Sequence, residues 1–500
     1  MTYCGTPEDP PWQSLRQQQA KEGLAMSYQI SRDEGQSFQI VLQGFLQAEG
    51  LPFSEVLSES QVERAFVEEG VLFGQEDDDL YTPALTLWTF LTQVIQAGVQ
   101  RSCNAAVERL RTLCLALGLR APSPDSGAYC RARTKLREPV LQRLTYEVAD
   151  ALEEQVPAKW LWFGRHVKMA DGSTLMTPDT DANQAEWPQM AAQEPGLGFP
   201  ILRFVMLFSL ATAAVCGFAD APYEGKETGE PALLRALLQR LQAGDVLLGD
   251  ACFCSYFLIA LLLERGVDVV VHQHQRRKTD HTIGKRLGKE DHVTSWSKPA
   301  RPDWMDQETY DRMPEQITVR ELTVHVAIPG FRCSHVTLVT TLTNSKRYSK
   351  QALGDLYRQR WNAELDLRSL KVTMNLDDLR GTFPHMIRNE IWAHCLAYNL
   401  IRKTMATAAV IHECTPRTIS FAGAVQSVAS GIGQASCADR SAVRPWADQK
   451  LASIASHRVG KRPNRVEPRA IKRRPKSHKL LTKPRDEARA ELGAAPASAV

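Results

Sequence analysis

Tyr357, Arg360, Glu364 and Lys371 share one fifteen-residue segment, YRQRWNAELDLRSLK, at spacings of 3, 4 and 7. On an α-helix, at about 100° per residue, these four fall within roughly 60° of one another. Leu356, Ala363, Leu367, Leu370 and Met374 gather on a different face, roughly 80° away. The spacing therefore predicts one helix with an apolar side for a core. Its polar side carries one carboxylate among a phenol, a guanidinium and an ammonium. A carboxylate in that setting can bind a metal ion while the two cations bind phosphate.

The segment resembles the Y-(2)-R-(3)-E-(6)-K signature of the IS4-type bacterial transposases, a branch of the DDE transposase/integrase superfamily. Ala363 and Leu367 depart from it, since that family more often has Ile before the Glu and Phe three residues after it. The resemblance implies two further carboxylates, each on or near a strand. Residues 166–171 read HVKMAD and then Gly172-Ser173, a short strand ending in Asp171 at a turn. Residues 245–250 read DVLLGD, an apolar strand with Asp250 at its end. The family usually shows D-R-G-Y-S there. Here Asp250, Phe253 and Ser255 are kept, but the Arg and Gly are missing. Asp179 and Asp181 read as turn residues and Asp245 as the first residue of a strand, so all three are assigned to structure.

What the resemblance implies follows from these positions. The fold is an RNase H-like α/β catalytic core with a β-rich insertion, preceded by a helical N-terminal domain. Asp171, Asp250 and Glu364 are the catalytic acids and hold two Mg²⁺ ions, for which Mn²⁺ can substitute. Two metals activate a water and stabilise the leaving oxygen of a phosphodiester, and shared carboxylates hold both. Tyr357, Arg360 and Lys371 bind the DNA strand near the scissile phosphate. The partners are the element's inverted-repeat ends and the target DNA, with a homodimer forming on DNA. The reaction is cut-and-paste transposition in a bacterial cytoplasm, at the nucleoid. In such enzymes an aromatic of the insertion can stack a flipped base. Trp296 and Trp304 are the candidates here.

Composition fits a large soluble enzyme. At 500 residues and 43% hydrophobic, there is material for two to four domains. The net charge of +3 is small, but charge is segregated. Residues 52–80 hold nine acids against one Arg, and residues 457–485 hold twelve Lys or Arg against one Glu. The second run can neutralise phosphates. The eleven cysteines are scattered, and the lone Cys252-x-Cys254 pair is a poor zinc signal, so reduced cytosolic thiols are expected. The start, MTYCGTPEDPPW, lacks an apolar core of a signal peptide. Phe204–Ala219 is short for a membrane span and reads instead as an apolar hairpin between the first two acids.

The chain divides into parts. Residues 1–35 are polar and Gln-rich and are expected to be disordered. Residues 36–155 read as helical, a candidate DNA-end-binding domain. A Pro-Gly turn at 121–127 precedes the basic run YCRARTKLREPVLQRL there, in the outline of a helix-turn-helix. Residues 156–410 form the catalytic domain: strand, hairpin, helix 231–243, strand, helix 257–265 and strand 267–271, then an insertion at about 276–335. Residues 386–410 form a further helix packing on that of Glu364. Residues 411–500, Ala/Ser-rich and then basic, are expected to be a disordered tail.

Two other functions are compatible with the same residues. One is a decayed or domesticated copy that binds DNA without cutting it. The other is a hydrolase whose paired acids do general acid–base work on a sugar or ester. The cations flanking Glu364 suit an anionic polymer and speak against the hydrolase.

Overall fold

The structure, a computed structural model, describes residues 57, 59–74, 80–116, 120–325, 335–437, 440–460 and 482–494. The expectation for residues 1–35 lies outside the described residues, as do 36–56 of the helical N-terminal part and 461–481 of the basic run.

Among the described residues, nine strands form one sheet. They are β1 (Val167–Met176), β2 (Ile201–Ser209), β3 (Val215–Pro222), β4 (Val246–Gly249), β5 (Asp268–His272), β6 (Lys285–Gly288), β7 (Asp291–Ser297), β8 (Gln316–His325) and β9 (His335–Thr340). Their order is β3-β2-β1-β4-β5-β9-β8-β7-β6. β1, β4 and β5 run parallel, and β2 and β3 return antiparallel on one flank. On the other flank β9 pairs antiparallel with β5 and leads into the β8-β7-β6 meander. The apolar run at 201–219 is the β2–β3 hairpin. Leu202 and Phe204 through Phe208 are all fully buried, as expected where helices cover both faces of a sheet.

The sequence expectation of a strand ending at Asp171 needs correction. The ladder to β2 runs on through Gly172↔Val205 to Met176↔Ile201, so Asp171 sits mid-strand opposite Met206. Gly-Ser marks many turns, but here the long apolar β2 keeps the register and overrides the local signal. The expected insertion at 276–335 also differs in its boundary. β9 lies beyond it and slots beside β5, so the meander extends the central sheet rather than standing apart from it.

Helices pack on this sheet and on one another. α1 (Glu59–Glu68), α2 (Pro83–Val94), α3 (Cys103–Ala116), α4 (Gly127–Lys135) and α5 (Glu138–Glu154) precede it. α6 (Asp181–Glu186), α7 (Glu230–Ala236), α8 (Tyr256–Glu264) and α9 (Gln307–Arg312) fall between strands. α10 (Lys350–Arg358) and α11 (Trp361–Arg368) then lead to α12 (Pro384–Ile411). Twenty-eight residues make α12 about 42 Å long, and most of its side chains are buried. Pro384 opens it at a position where a missing N–H costs nothing. Asn399 near its middle bonds three backbone groups, donating to the carbonyls of Thr145 and Val215 and accepting from Val215 N. One amide thus ties α12 to both α5 and β3. Arg101 joins the N-terminal helices to the same helix through Glu390 at 2.7 Å.

The expectation of a wholly disordered region 411–500 is also corrected. α13 (Phe421–Cys437), α14 (Arg440–Ser456) and α15 (Arg485–Ala494) are helical. Ala424, Val428, Leu451 and Ile454 bury against the core. The Ala/Ser richness that suggested disorder is compatible with close helix packing, because small residues let helices approach. His457 and Arg458 then bind back to the 418–420 region through Ser420 N→His457 O and the Ile419↔Arg458 bridge.

Candidate active site

The predicted amphipathic helix forms, but as three helical pieces. α10 ends at Arg358, a tight turn crosses Gln359 and Arg360, α11 begins at Trp361, and residues 369–373 form a π-turn. The apolar face is as expected: Leu356, Ala363, Leu367, Leu370 and Met374 are buried. The breaks change the offset of the polar residues from the ideal wheel. A π-turn of this kind widens the helix by one residue, and such turns are common at functional sites.

Asp366 fixes α11 from beneath. Its carboxylate is buried between Arg402 of α12 at 2.8 Å and Arg417 of the 416–418 turn at 3.0 Å. Because Asp366 lies two residues from Glu364, its ion pairs face inward while Glu364 faces out.

Asp171, Asp250, Glu364, Tyr357 and Arg360 come together at one end of the parallel strands. Arg360 is their common neighbour. Its Nη2 donates to Glu364 Oε1 at 2.9 Å, and Nη1 lies 4.0 Å from Asp171 Oδ1. Burial opposes its charge, but Tyr357, Asp250, Asp171 and Glu364 outweigh that and raise its pKa. Asp171 is the most enclosed acid, with 16% of its side chain exposed against 48% for Asp250 and 38% for Glu364. Burial therefore pushes the Asp171 carboxyl up to about 6, with Arg360 pulling it down and Glu364 and Glu230 adding to the rise. Asp250 caps the short 3₁₀ turn 251–253 by accepting from Ala251 N at 2.6 Å. Burial raises the Tyr357 phenol, with Asp250 adding to this and Arg360 opposing it.

Lys371 stands apart from that group. In the π-turn its ammonium donates to Ser173 Oγ and to the Thr174 carbonyl, both at 2.9 Å, and pairs with Asp377 at 3.3 Å. It ties the turn to β1 just past Asp171. Asp245 is buried at the start of β4, where its Oδ2 accepts from Gln242 N. Asp179 pairs with Arg485 at 2.6 Å. Asp181 opens α6.

The structure adds residues that the sequence did not point to. His272, the last residue of β5, places Nδ1 4.0 Å from Asp250 Oδ1 and its ring 6.3 Å from that of Tyr357. Burial lowers its pKa, with Asp250 opposing. Cys252 lies among the acids with Sγ 3.5 Å from Glu230 Oε2, and burial followed by Glu230 and Asp250 raises its thiol pKa. A lone His at a strand end and a Cys-x-Cys pair carry no periodic signal, which is why only the fold brings His272 and Cys252 to the acids. The aromatic candidates also change. Trp296 is buried, donates to Glu321 and lies under Arg277. Trp304 packs on Phe257 with Arg235 3.8 Å over its ring. Trp361, beside Arg360, is instead 49% exposed.

An all-oxygen donor set of carboxylates suits Mg²⁺ or Mn²⁺. Among the described residues, however, no three His, Cys, Asp or Glu side chains are gathered to grip one ion as they stand. The Arg360 guanidinium explains the spacing: it lies between Asp171 and Glu364 and supplies the positive charge there. A cation already stands among the acids, and the residues fit a divalent ion in kind, with Arg360 turned aside.

The transposase DDE domain family matches residues 162–400, the span holding all three acids. The transposase InsG for insertion sequence element IS4 of Escherichia coli (strain K12) is 27% identical over 365 residues. That alignment spans 71% of this chain and 78% of the relative. The transposase for insertion sequence element IS421 of Escherichia coli is 40% identical over 67 residues, 13% of this chain and 18% of its own length. A solved piggyBac transposase in a synaptic complex with hairpin DNA aligns over 86% of this chain and 88% of that one. Its TM-score of 0.41 at 10% identity is too low to define the fold. The chain is thus similar to the IS4-type DDE transposases. It is a DNA transposase, and its DDE domain implies dependence on a divalent metal. Among the described residues no helix is long and apolar enough to cross a membrane.

Proposed function

We propose that the chain cuts DNA at the ends of its element and joins the freed ends to target DNA, with Asp171, Asp250 and Glu364 as the acids that hold the metal. The observation supporting this is the convergence on Arg360 of three carboxylates from β1, the end of β4 and α11. The strand order 3-2-1-4-5, with β1, β4 and β5 parallel and a helix carrying the last acid, favours an RNase H-like core. A pair of Mg²⁺ ions bound here would supply the charge stabilisation for phosphodiester cleavage. Arg360 would then turn from the acids to the DNA phosphate, with Tyr357 donating beside it and Lys371 holding the strand further along. Trp361 offers an exposed indole face at the same edge for stacking a displaced base.

DNA ends are the proposed partner, read by the helices of residues 36–155. Two ends need two active sites, so a homodimer on DNA is the proposed assembly. The expected place of action is the cytoplasm, at the nucleoid. The test is a nicking assay on a duplex carrying the element's end. Asp171→Ala, Asp250→Ala and Glu364→Ala should each abolish nicking and leave end binding intact. Full nicking by any one of them would remove that residue from the centre.

A further inference from the structure

Glu230 opens α7, which packs on β2, β3 and the 251–253 turn below Asp250. Its side chain is half-buried. It lies directly over Gly172, the residue after Asp171: a Cβ built on Gly172 would fall 2.4 Å from Glu230 Cδ and 2.6 Å from Oε1. On its other side Oε2 is met by the Cys252 thiol, which follows Asp250 by two residues. Glu230 is thus wedged between the backbone carrying one acid and the side chain next to another. Its charge is felt at Asp171 itself. Gly172 has no need of glycine for its backbone angle, because it continues a regular strand. A Cβ there would meet the movable end of the Glu230 side chain, so a larger residue would displace the carboxylate.

A glutamate in the first turn of a helix has an ordinary role, answering the partial positive charge of the helix end. That role is met by a side chain in solvent. It gives no reason to hold a carboxylate close to Asp171, where like charges repel. A divalent cation at the acids would turn that repulsion into attraction. We propose that Glu230 is a fourth acidic member of the centre, a positioning residue that acts with Asp171 and Cys252 to hold the divalent ion. This rests on the assignment of Asp171, Asp250 and Glu364 as the metal-holding acids. The Cys252 thiol donates to Glu230 and orients it, as the groups around a metal's ligands commonly orient one another.

The test is the affinity of the full chain for Mn²⁺, read by the loss of the free-ion paramagnetic resonance signal without DNA or turnover. Two variants address the same carboxylate differently. Glu230→Gln removes its charge and keeps its shape. Gly172→Ala keeps the charge and displaces the carboxylate from its seat. Asp171→Asn is the reference. Each of the first two should weaken Mn²⁺ binding by about tenfold, the usual cost of losing a partner one step from the metal, with thermal melting confirming the fold. Binding within about twofold of wild type in Glu230→Gln, while Asp171→Asn loses it, would overturn the proposal and leave Glu230 its helix-end role. Unchanged binding in Asp171→Asn as well would bring down the three-acid reading itself. Should Glu230→Gln fail to fold, Gly172→Ala decides by the same thresholds.

Discussion

Arg360 Nη2 donates to Glu364 Oε1 at 2.9 Å, one helical turn away, so in the protein alone Glu364 is already paired with a cation. A guanidinium held there has fewer N–H groups free for a phosphate. The same residue is therefore expected to have two positions, against the acids without metal and against DNA with it. Arg360→Ala should then bind Mn²⁺ at least as tightly as wild type, since no cation competes, yet lose strand cleavage far more than DNA affinity. Titration of Mn²⁺ alongside a nicking assay checks both halves. Cleavage within about twofold of wild type would mark Arg360 as a surface charge with no part in the reaction.

The Asp171 carboxyl gives a pH dependence. Its folded value is raised from 3.8 to about 6, chiefly by burial. Between those values the folded chain keeps a proton that the unfolded chain has lost. This group's contribution to stability is therefore full below about 4 and declines as pH rises through about 6. Metal binding runs the other way, because the ion must displace that proton. Mn²⁺ affinity should rise by about tenfold per pH unit up to about 6 and then level off. An affinity independent of pH between 5 and 7 would mean that the metal does not touch Asp171.

Asp366 offers a prediction about support rather than chemistry. Its carboxylate is 2% exposed and held by Arg402 and Arg417. Removing one partner of such a buried arrangement leaves charge uncompensated, at a cost of about 3–5 kcal/mol. Asp366→Ala should lose about that much in urea unfolding, and cleavage should fall because α11 carries Glu364. A loss below about 1 kcal/mol would show that the two arginines are served by water instead.

The sequence made the apolar face of the Glu364 helix legible because burial follows a 3.6-residue period, and all five residues named from it are buried. It likewise exposed the β2–β3 hairpin, the strand before Asp250 and the long helix through Asn399. Other features depend on what lies opposite in space. Asp171 looked terminal because Gly-Ser follows it, and only its pairing with Met206 carries the strand onward. The break at Gln359–Arg360 and the π-turn leave no mark in the pattern of apolar residues. Glu230 and His272 come to the acids from one residue outside the expected helix 231–243 and strand 267–271, the helix itself ending at Ala236, and single polar residues have no period to announce which way they face. Trp296 and Trp304 are candidates only by lying in the insertion, and arginine side chains cover both.

Lys371 bonds to Ser173 and Thr174 of β1, so a structural and a DNA role make different predictions. Hydrogen bonds from a charged donor contribute about 1.5–3 kcal/mol. If the tie to β1 matters, Lys371→Ala should lose about that much stability as well as cleavage. If Lys371 serves DNA alone, the melting curve should not move while cleavage falls. Urea unfolding of the two chains separates these outcomes.

The basic run supplies the last prediction. Twelve Lys or Arg lie within 457–485, and their contribution to DNA binding should be electrostatic and indifferent to sequence. The structure fixes where to cut. Ending the chain near 450 would sever α14, whereas ending it at 460 keeps that helix and the Ile419↔Arg458 bridge. It also removes the Arg485–Asp179 ion pair, whose partner lies on the loop between β1 and β2. The shortened chain keeps Arg458 and loses the other eleven cations. It should bind unrelated duplexes more weakly, with a shallower fall of log affinity against log salt, since each phosphate contact adds about 0.9 to that slope. Its preference for the element's own ends should persist, because that reading is assigned to the helices of residues 36–155. An unchanged salt slope would make the run a solubilising extension with no hold on DNA. A lost preference for the ends, with α14 intact by circular dichroism, would instead move end recognition to the C-terminal segment.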